Sequence, residues 1–157
     1  MTVLCDTVAQ TQALGGQIAR LLRAGDLLLL SGPLGAGKTA LAQGLAAGLG
    51  VAGPVTSPTF VIARAHRPDP SAGGRLPMVH VDAYRLGGVD DPLGQIDELD
   101  LDASVDEAVT VVEWGDGMVE RLADAHLRVT IERRDDDTRA VTLHPHGGDW
   151  AQRLERL

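Results

Sequence analysis

Residues 32–39 combine residue types and a spacing that are typical of a phosphate-binding loop. They read Gly-Pro-Leu-Gly-Ala-Gly-Lys-Thr, so a glycine opens the segment and Gly-Lys-Thr closes it. In such a loop the backbone N–H groups point at phosphate oxygens, and the following helix adds the positive end of its dipole. The Lys38 amine reaches the β- and γ-phosphates of a nucleotide, and the Thr39 hydroxyl binds Mg²⁺. We expect phosphate contacts from the loop and the start of its helix, namely Leu34, Gly35, Ala36, Gly37, Lys38, Thr39 and Ala40.

A phosphate-binding loop works only between a strand that ends before it and a helix that begins after it, and the sequence predicts both elements. Four consecutive leucines, Leu27–Leu30, indicate a short strand buried on both faces. Residues 38–49 carry leucines at helical spacing, and Gly50 is a typical helix stop. The alternative is a glycine-rich turn between two core elements, which would not require a buried strand before it and a helix directly after it.

Two carboxylates follow predicted strands further along the chain. Residues 76–82 alternate apolar and polar side chains and end at Asp82, whereas the β-branched run 109–112 ends at Glu113. Open α/β sheets bind ligands at the carboxyl ends of their strands, so both acids are candidates for metal or water chemistry. The alternatives are a turn or cap residue for Asp82 and a surface residue for Glu113. We expect His80 to be a partly buried histidine with its hydrogen bonds satisfied.

The segment Ser57-Pro58-Thr59-Phe60 lies between the predicted helix and an alternating stretch, 60–64. Pro58 biases Ser57 toward an extended backbone. Thr59 is either a turn residue or a sensor of the γ-phosphate and metal, and the residue pattern alone favours neither.

The first predicted helix starts at a cap formed by Asp6 or Thr7 and runs to about Arg23. Gly15 and Gly16 lie inside it, where each glycine costs roughly 1 kcal/mol relative to alanine. This cost indicates the close approach of another backbone or of a ligand, with helix packing the favoured interpretation.

The remaining elements are predicted from local pattern. A Pro- and Gly-rich loop at 67–77 links two strands of a hairpin, and short helices are expected within 89–108 and 117–123. Two alternating strands, 127–132 and 140–143, flank Asp135, Asp136 and Asp137, which indicate a hairpin turn rather than a metal cluster. The tail, 149–157, fits a short amphipathic helix.

Bulk composition narrows the class of protein. The chain has 157 residues, 44% of them hydrophobic, which suits one domain spanning 1–157. A single cysteine and the lack of a membrane-length apolar run or signal peptide predict a cytoplasmic protein with no membrane role. The net charge of -8 disfavours a direct grip on nucleic acid, so any such role is expected to run through a partner.

Four motifs in order, at 32–39, 57–60, 80–86 and 112–114, resemble the TsaE family, also called YjeE. The first motif is generic, whereas the other three at these spacings are specific together. This family consists of bacterial ATPases of tRNA threonylcarbamoyladenosine biosynthesis. The resemblance covers about residues 11–139 and implies an α/β, P-loop NTPase-like three-layer fold whose mixed central sheet includes antiparallel strands. The departures, at loop 67–77, around Ala65-His66 and at Ala83, are peripheral to the phosphates.

The resemblance implies the cofactors ATP and Mg²⁺ and assigns roles to individual residues. Thr39 and Glu113 would hold Mg²⁺, while Lys38 and Asp82 would act on the phosphates and the attacking water. Thr59 would act with them from a switch-like loop.

Further site residues are implied in the same way. Ser57 would share the switch-like loop and Trp114 would lie beside the nucleotide. The segment 7–11 and the turn before Arg139 would line the adenine.

The resemblance also implies partners. Family members hydrolyse ATP slowly alone and act with TsaD and TsaB, so tRNA is expected only through that complex, and the chain is expected to be a monomer by itself. Two alternatives remain open: a small-molecule kinase, which shares the loop and the strand-end acid, and a nucleotide-gated binding module that hardly hydrolyses ATP.

Overall fold

The computed structural model describes residues 1–51, 53–55, 63–82, 105–113 and 123–157. Seven strands of this part of the chain form one mixed sheet. In chain order they are β1 (Thr2–Cys5), β2 (Leu27–Ser31), β3 (Ala63–His66), β4 (Met78–Asp82), β5 (Val109–Glu113), β6 (His126–Arg133) and β7 (Arg139–His146). The described helices are α1 (Val8–Ala19), α2 (Lys38–Leu49) and α3 (Trp150–Leu154), and a 3₁₀ turn covers Pro70–Ala72.

The sheet has a parallel centre and antiparallel edges, in the order β1-β7-β6-β2-β5-β4-β3. Strand β2 pairs in parallel with β5 and β6, and β5 pairs in parallel with β4. Antiparallel pairs add β3 at one edge and β7 followed by β1 at the other. The predicted mixed sheet with antiparallel strands is therefore confirmed.

Strand β2 is the hydrophobic centre of this sheet. Every one of its five residues is buried, as the run of four leucines predicts for a strand covered on both faces. Side chains alternate across the sheet, so Leu28 and Leu30 belong to the core that also holds the apolar sides of α1 and α2. Because β2 is fixed in this way, the loop that follows Ser31 starts from a rigid position.

Helices α1 and α2 pack backbone to backbone. A Cβ added at Gly15 would lie 2.5 Å from the Leu41 carbonyl oxygen, and one added at Gly44 would overlap the backbone of Gln12. The glycines that weaken α1 as an isolated helix therefore allow α2 to approach closely, and the packing interpretation is confirmed.

The structure corrects some boundaries. Helix α1 starts at the predicted cap, with Thr7 accepting from the Gln10 N–H, but it ends at Ala19 rather than Arg23. The next residues form tighter turns, with Leu21 N–H donating to the Ile18 carbonyl at 2.9 Å. The predicted helices within 89–108 and 117–123 lie largely outside the described residues, and the described stretch 105–108 forms turns.

The 127–143 hairpin and the tail helix are confirmed, with the acidic turn at its predicted place between β6 and β7. Strand β1 was not predicted. Across the described ranges, no helix combines the length and apolarity that crossing a bilayer requires.

Candidate phosphate and metal site

The loop between β2 and α2 is held open by glycines that no other residue type could replace without strain. Gly32, Gly35 and Gly37 have φ values of 153°, 77° and 118°, in the region that side chains disfavour. A Cβ on Gly32 would also lie 2.5 Å from the Ile131 carbonyl oxygen of β6. The chain can therefore turn sharply after β2 and leave its backbone exposed to a ligand.

Helix α2 begins where this loop ends. Gly37 is its N-cap and has no side chain to occupy the first N–H groups, and the first turn contains no acidic residue. The first N–H groups of an α-helix have no intrahelical acceptor, and the helix dipole makes this end positive. The start of α2 thus offers donors and partial positive charge to an anion, as the sequence predicted.

Lys38 folds back onto the loop. Its Nζ donates to the carbonyl oxygens of Gly32 at 2.6 Å and Pro33 at 2.9 Å, and the residue is only 7% exposed. Burial lowers the pKa of Lys38 from its ordinary 10.5, and the charge of Glu113 works in the opposite direction. The ammonium is thereby placed inside the loop, at the position from which it could contact phosphate.

The two candidate carboxylates lie at the carboxyl ends of their strands, as does the loop that follows β2. Glu113 is in register with Leu30 of β2 on one side and with Asp82 of β4 on the other. The three strands are parallel, so the loop after β2, Glu113 and Asp82 meet at their carboxyl ends. Glu113 is only 2% exposed, which contradicts the surface alternative, whereas Asp82 is partly exposed as the last residue of β4.

The burial and hydrogen bonding of His80 differ from those predicted. It is fully buried, its Nε2 lies 3.3 Å from Oε2 of Glu113, and neither ring nitrogen makes a hydrogen bond of good geometry. The expectation of a partly buried histidine with satisfied hydrogen bonds is therefore wrong. The alternation of β4 did place His80 and Asp82 on one face, but only the β4–β5 pairing shows that this face includes Glu113.

The residues present fit a nucleotide with Mg²⁺. The glycine loop leaves space that side chains would fill, and Thr39 follows Lys38 in the first turn of α2. Mg²⁺ prefers oxygen ligands and takes one or two from protein, the rest from water and phosphate. Within the described ranges no group of three or more His, Cys, Asp or Glu side chains converges, so phosphates and water would have to complete the shell.

A cavity of about 270 Å³ adjoins the loop on the side of α1. Arg139 borders it, with its Nη1 donating to the Asp137 carbonyl at 2.7 Å. The cavity brings together the segment after β1, the start of α2 and the β6–β7 turn: Asp6, Thr7, Val8, Thr11, Gly37, Ala40, Arg133, Asp137 and Arg139. The segment after β1 and the β6–β7 turn are the two that the resemblance assigns to adenine, and adenine binding here stays a prediction.

A larger cavity of about 590 Å³ lies behind the loop. It shares Gly32 and Pro33 with the loop, but its β6 wall is Arg128 and Thr130, which point away from the core side occupied by Leu127 and Val129. The start of α2, with its first-turn N–H groups, does not line this cavity. Its greater volume therefore does not make it the better candidate for phosphate.

Three predicted site residues, Ser57, Thr59 and Trp114, lie outside the described residues. Their roles stay predictions. The described part of the candidate site consists of the loop, Lys38, Thr39 and Ala40 on α2, and the strand-end residues Asp82 and Glu113 with His80 beside them.

Comparison with known proteins gives consistent matches over most of the chain. The family model described as threonylcarbamoyl adenosine biosynthesis protein TsaE matches residues 5–141. The tRNA threonylcarbamoyladenosine biosynthesis protein TsaE of Streptomyces coelicolor is 56% identical over 142 residues, covering 88% of this chain and 92% of that protein. The Bacillus subtilis protein of the same name is 35% identical over 148 residues, covering 94% of this chain and 87% of its own. The crystal structure of Bacillus subtilis YdiB superimposes with a TM-score of 0.77 at 30% identity, covering 99% of this chain and 91% of that one.

Proposed function

This chain belongs to the TsaE family of threonylcarbamoyl adenosine biosynthesis proteins, and from that premise we propose that it is a Mg²⁺-dependent ATPase. Its hydrolysis of ATP supports the formation of N6-threonylcarbamoyladenosine at position 37 of tRNAs that read ANN codons. The observation that carries the ATPase proposal is the buried Lys38 ammonium, enclosed by a left-handed glycine loop next to the buried carboxylate of Glu113.

The chain contributes position and charge to phosphoryl transfer rather than a covalent intermediate. The loop N–H groups and Lys38 bind the β- and γ-phosphates, and they favour the transition state because its charge develops on the γ-phosphoryl oxygens. The hydrogen bonds from Lys38 to the Gly32 and Pro33 carbonyls keep the ammonium in place before nucleotide arrives. Little reorganisation is then needed when ATP binds.

Thr39 and Glu113 would hold Mg²⁺, one from the first turn of α2 and one from the end of β5. When bound, the metal neutralises charge on the phosphate oxygens. Asp82, one strand further along the sheet edge, orients the attacking water and accepts its proton. Thr59 is the proposed γ-phosphate sensor, while Ser57 and Trp114 complete the nucleotide contacts.

Asp82→Ala should separate binding from turnover. Asp82 lies at the carboxyl end of β4, whereas the phosphates are bound by Lys38 and the loop. The variant should therefore bind ATP normally and lose about 100-fold or more in turnover, the scale of a lost acid–base group. Nucleotide titration and phosphate release measure the two effects. Full turnover with partners present would remove Asp82 from the catalytic residues.

The proposed partners are TsaD and TsaB, with tRNA reached only through them and the chain monomeric by itself in the cytoplasm. The net charge of -8 supports an indirect route, since a chain that bound tRNA phosphates by itself would need a basic surface. The kinase alternative is weakened by the 67–77 connection, where Arg75 donates to the Ala19 carbonyl at 3.0 Å instead of serving a phosphate lid.

The test is ATP hydrolysis by the purified protein with Mg²⁺, alone and then with TsaD, TsaB and tRNA, using Glu113→Ala as control. We expect slow hydrolysis alone and stimulation by the partners that the control lacks. Tight ATP binding without stimulation would contradict the proposal and favour a nucleotide-gated binding module. ADP formation that depends on an added small acceptor would instead favour a kinase.

A further inference from the structure

A buried imidazole lies against the carboxylate that we assign to the metal. His80 is fully buried and Glu113 is 2% exposed, and the His80 Nε2 is 3.3 Å from the Glu113 Oε2. His80 lies on β4 two residues before Asp82, which is in register with Glu113, so the contact runs diagonally between neighbouring parallel strands. The pairing of the central sheet thus fixes the distance between the two residues.

This imidazole is a poor choice for packing alone. Neither His80 nitrogen makes a hydrogen bond of good geometry, and a buried polar atom without such a bond costs free energy. An apolar side chain of similar volume at this position of β4 would avoid that cost. The contact with Glu113 is the one feature of the described surroundings that uses the imidazole's polarity.

We propose that His80 is a positioning residue that orients the Glu113 carboxylate for Mg²⁺. A proton on its Nε2, which lies 3.3 Å from Oε2 of Glu113, would attract that oxygen and so restrict rotation of the carboxylate at the end of β5. A carboxylate that is held by a second group presents its oxygens to a cation in a fixed direction, and loss of such a group typically weakens metal affinity 10–100-fold. This inference rests on the proposed function, because the orientation of Glu113 matters for a metal only if Glu113 holds one.

The experiment measures how much Mg²⁺ is needed for ATP binding, using a fluorescent ATP analogue at increasing Mg²⁺ and again without the metal. In His80→Leu the Mg²⁺ concentration for half-maximal binding should rise about tenfold or more, while metal-free binding stays unchanged. His80→Gln, which keeps an N–H donor, should recover most of the wild-type value. Should His80→Leu not fold, His80→Phe carries the same expectation.

His66→Leu is the matched control. His66 is a buried histidine on β3, in register with Met78 of β4, so it lies one strand further from Glu113 on the same face. Its replacement should leave the Mg²⁺ requirement unchanged. A second control repeats His80→Leu in a Glu113→Gln background, where it should add no further change because no carboxylate remains to be oriented.

The outcomes separate the two proposals. If wild-type protein binds ATP with a clear Mg²⁺ requirement and His80→Leu does not change it, the role of His80 is overturned and the ATPase proposal stands. A shift of equal size in His66→Leu, or one that persists in the Glu113→Gln background, overturns it as well, since it would be a general effect of altering the core. If the wild type shows no Mg²⁺-dependent ATP binding, both proposals fail.

Discussion

Strand β2 has a carboxylate near each of its ends, and the two carboxylates contact different kinds of side chain. At the start, Asp26 directly precedes Leu27 and accepts from Arg153 of α3, with Nη1 at 2.6 Å from Oδ2 and Nη2 at 3.0 Å from Oδ1. At the other end, Glu113 is in register with Leu30, and its Oε2 lies 3.3 Å from the Nε2 of His80. A two-bond ion pair occupies one end and a looser contact the other.

The Arg153 guanidinium makes several contacts besides those with Asp26. The guanidinium also donates to the Leu21 carbonyl at 2.9 Å and stacks 3.7 Å from the centre of the Trp150 ring. Burial works against the charge of Arg153, but the hydrogen bonds and charges of Asp26 and Asp149 together outweigh it and raise the pKa of Arg153 above its ordinary value. This arrangement ties α3 to the start of β2.

The Glu113 end combines a buried acid with a buried lysine that is bonded to backbone carbonyls of its own loop. Burial of ionisable groups is costly, and clusters of such groups are typical of functional sites. The comparison teaches that a bidentate ion pair ties α3 to the start of β2, whereas the other end of β2 brings a buried acid, a buried histidine and a buried lysine together beside the loop where a ligand would bind.

Breaking the matched pair should have the largest effect on stability. Arg153→Ala leaves Asp26 partly buried without its guanidinium, and we expect the free energy of unfolding to fall by about 3–5 kcal/mol. Urea denaturation measures it. Arg23→Ala is the control: it removes the exposed partner of Asp149, a carboxylate that also lies 3.0 Å from Arg153, and should cost at most about 1 kcal/mol. Equal losses in the two variants would contradict the special role of the Arg153 pair.

Two neighbouring glycines of α1 test the contact with α2, the helix that begins at the phosphate loop. Gly15→Ala would place a Cβ 2.5 Å from the Leu41 carbonyl and should cost about 1–3 kcal/mol in the free energy of unfolding. The neighbouring Gly16→Ala meets its nearest atom, the Gly44 carbonyl oxygen, at 3.9 Å and should stabilise by up to about 1 kcal/mol. Thermal unfolding of both variants compares them, and effects of the same sign would refute the packing argument.

The smallest expected effect is the pH dependence of Lys38. Burial lowers its pKa below 10.5, so the folded protein releases this proton more readily than the unfolded chain. Between the lowered pKa and 10.5 the unfolded chain binds more protons, and this group's contribution to stability rises with pH. ATP affinity should fall over the same range as the ammonium is lost, by at most about tenfold per pH unit.

Calorimetric ATP titrations at increasing alkaline pH measure this effect. Lys38→Met has no proton to lose at this position, so its affinity should be weaker throughout and nearly independent of pH. Parallel pH profiles for the wild type and Lys38→Met would show that another group is responsible.

Local sequence patterns predicted the elements of the site well. The bounds of α2, Lys38–Leu49, followed from the loop motif, the leucine spacing and Gly50, which has a left-handed φ of 71°. The end of β5 at Glu113 followed from the β-branched run before it. In these segments, local propensity and the tertiary structure agree.

Long-range pairing could not be predicted in the same way. Strand β1 is stabilised by pairing with β7, where Thr2 opposes Thr142 at the far end of the chain, and four residues carry little local signal. The contact between His80 and Glu113 depends on β4 lying next to β5, which no local pattern states. Burial of Glu113 likewise follows from its strand's central place in the sheet.

The most direct test of the division between the two ends of β2 is a calorimetric titration of ATP with Mg²⁺ into Lys38→Ala, with Arg153→Ala measured under folded conditions as the reference. Lys38→Ala should lose about 10- to 100-fold in affinity, the scale of a charged hydrogen bond, while Arg153→Ala should bind like the wild type. Wild-type affinity in Lys38→Ala would contradict the assignment of the 32–39 loop as the phosphate site.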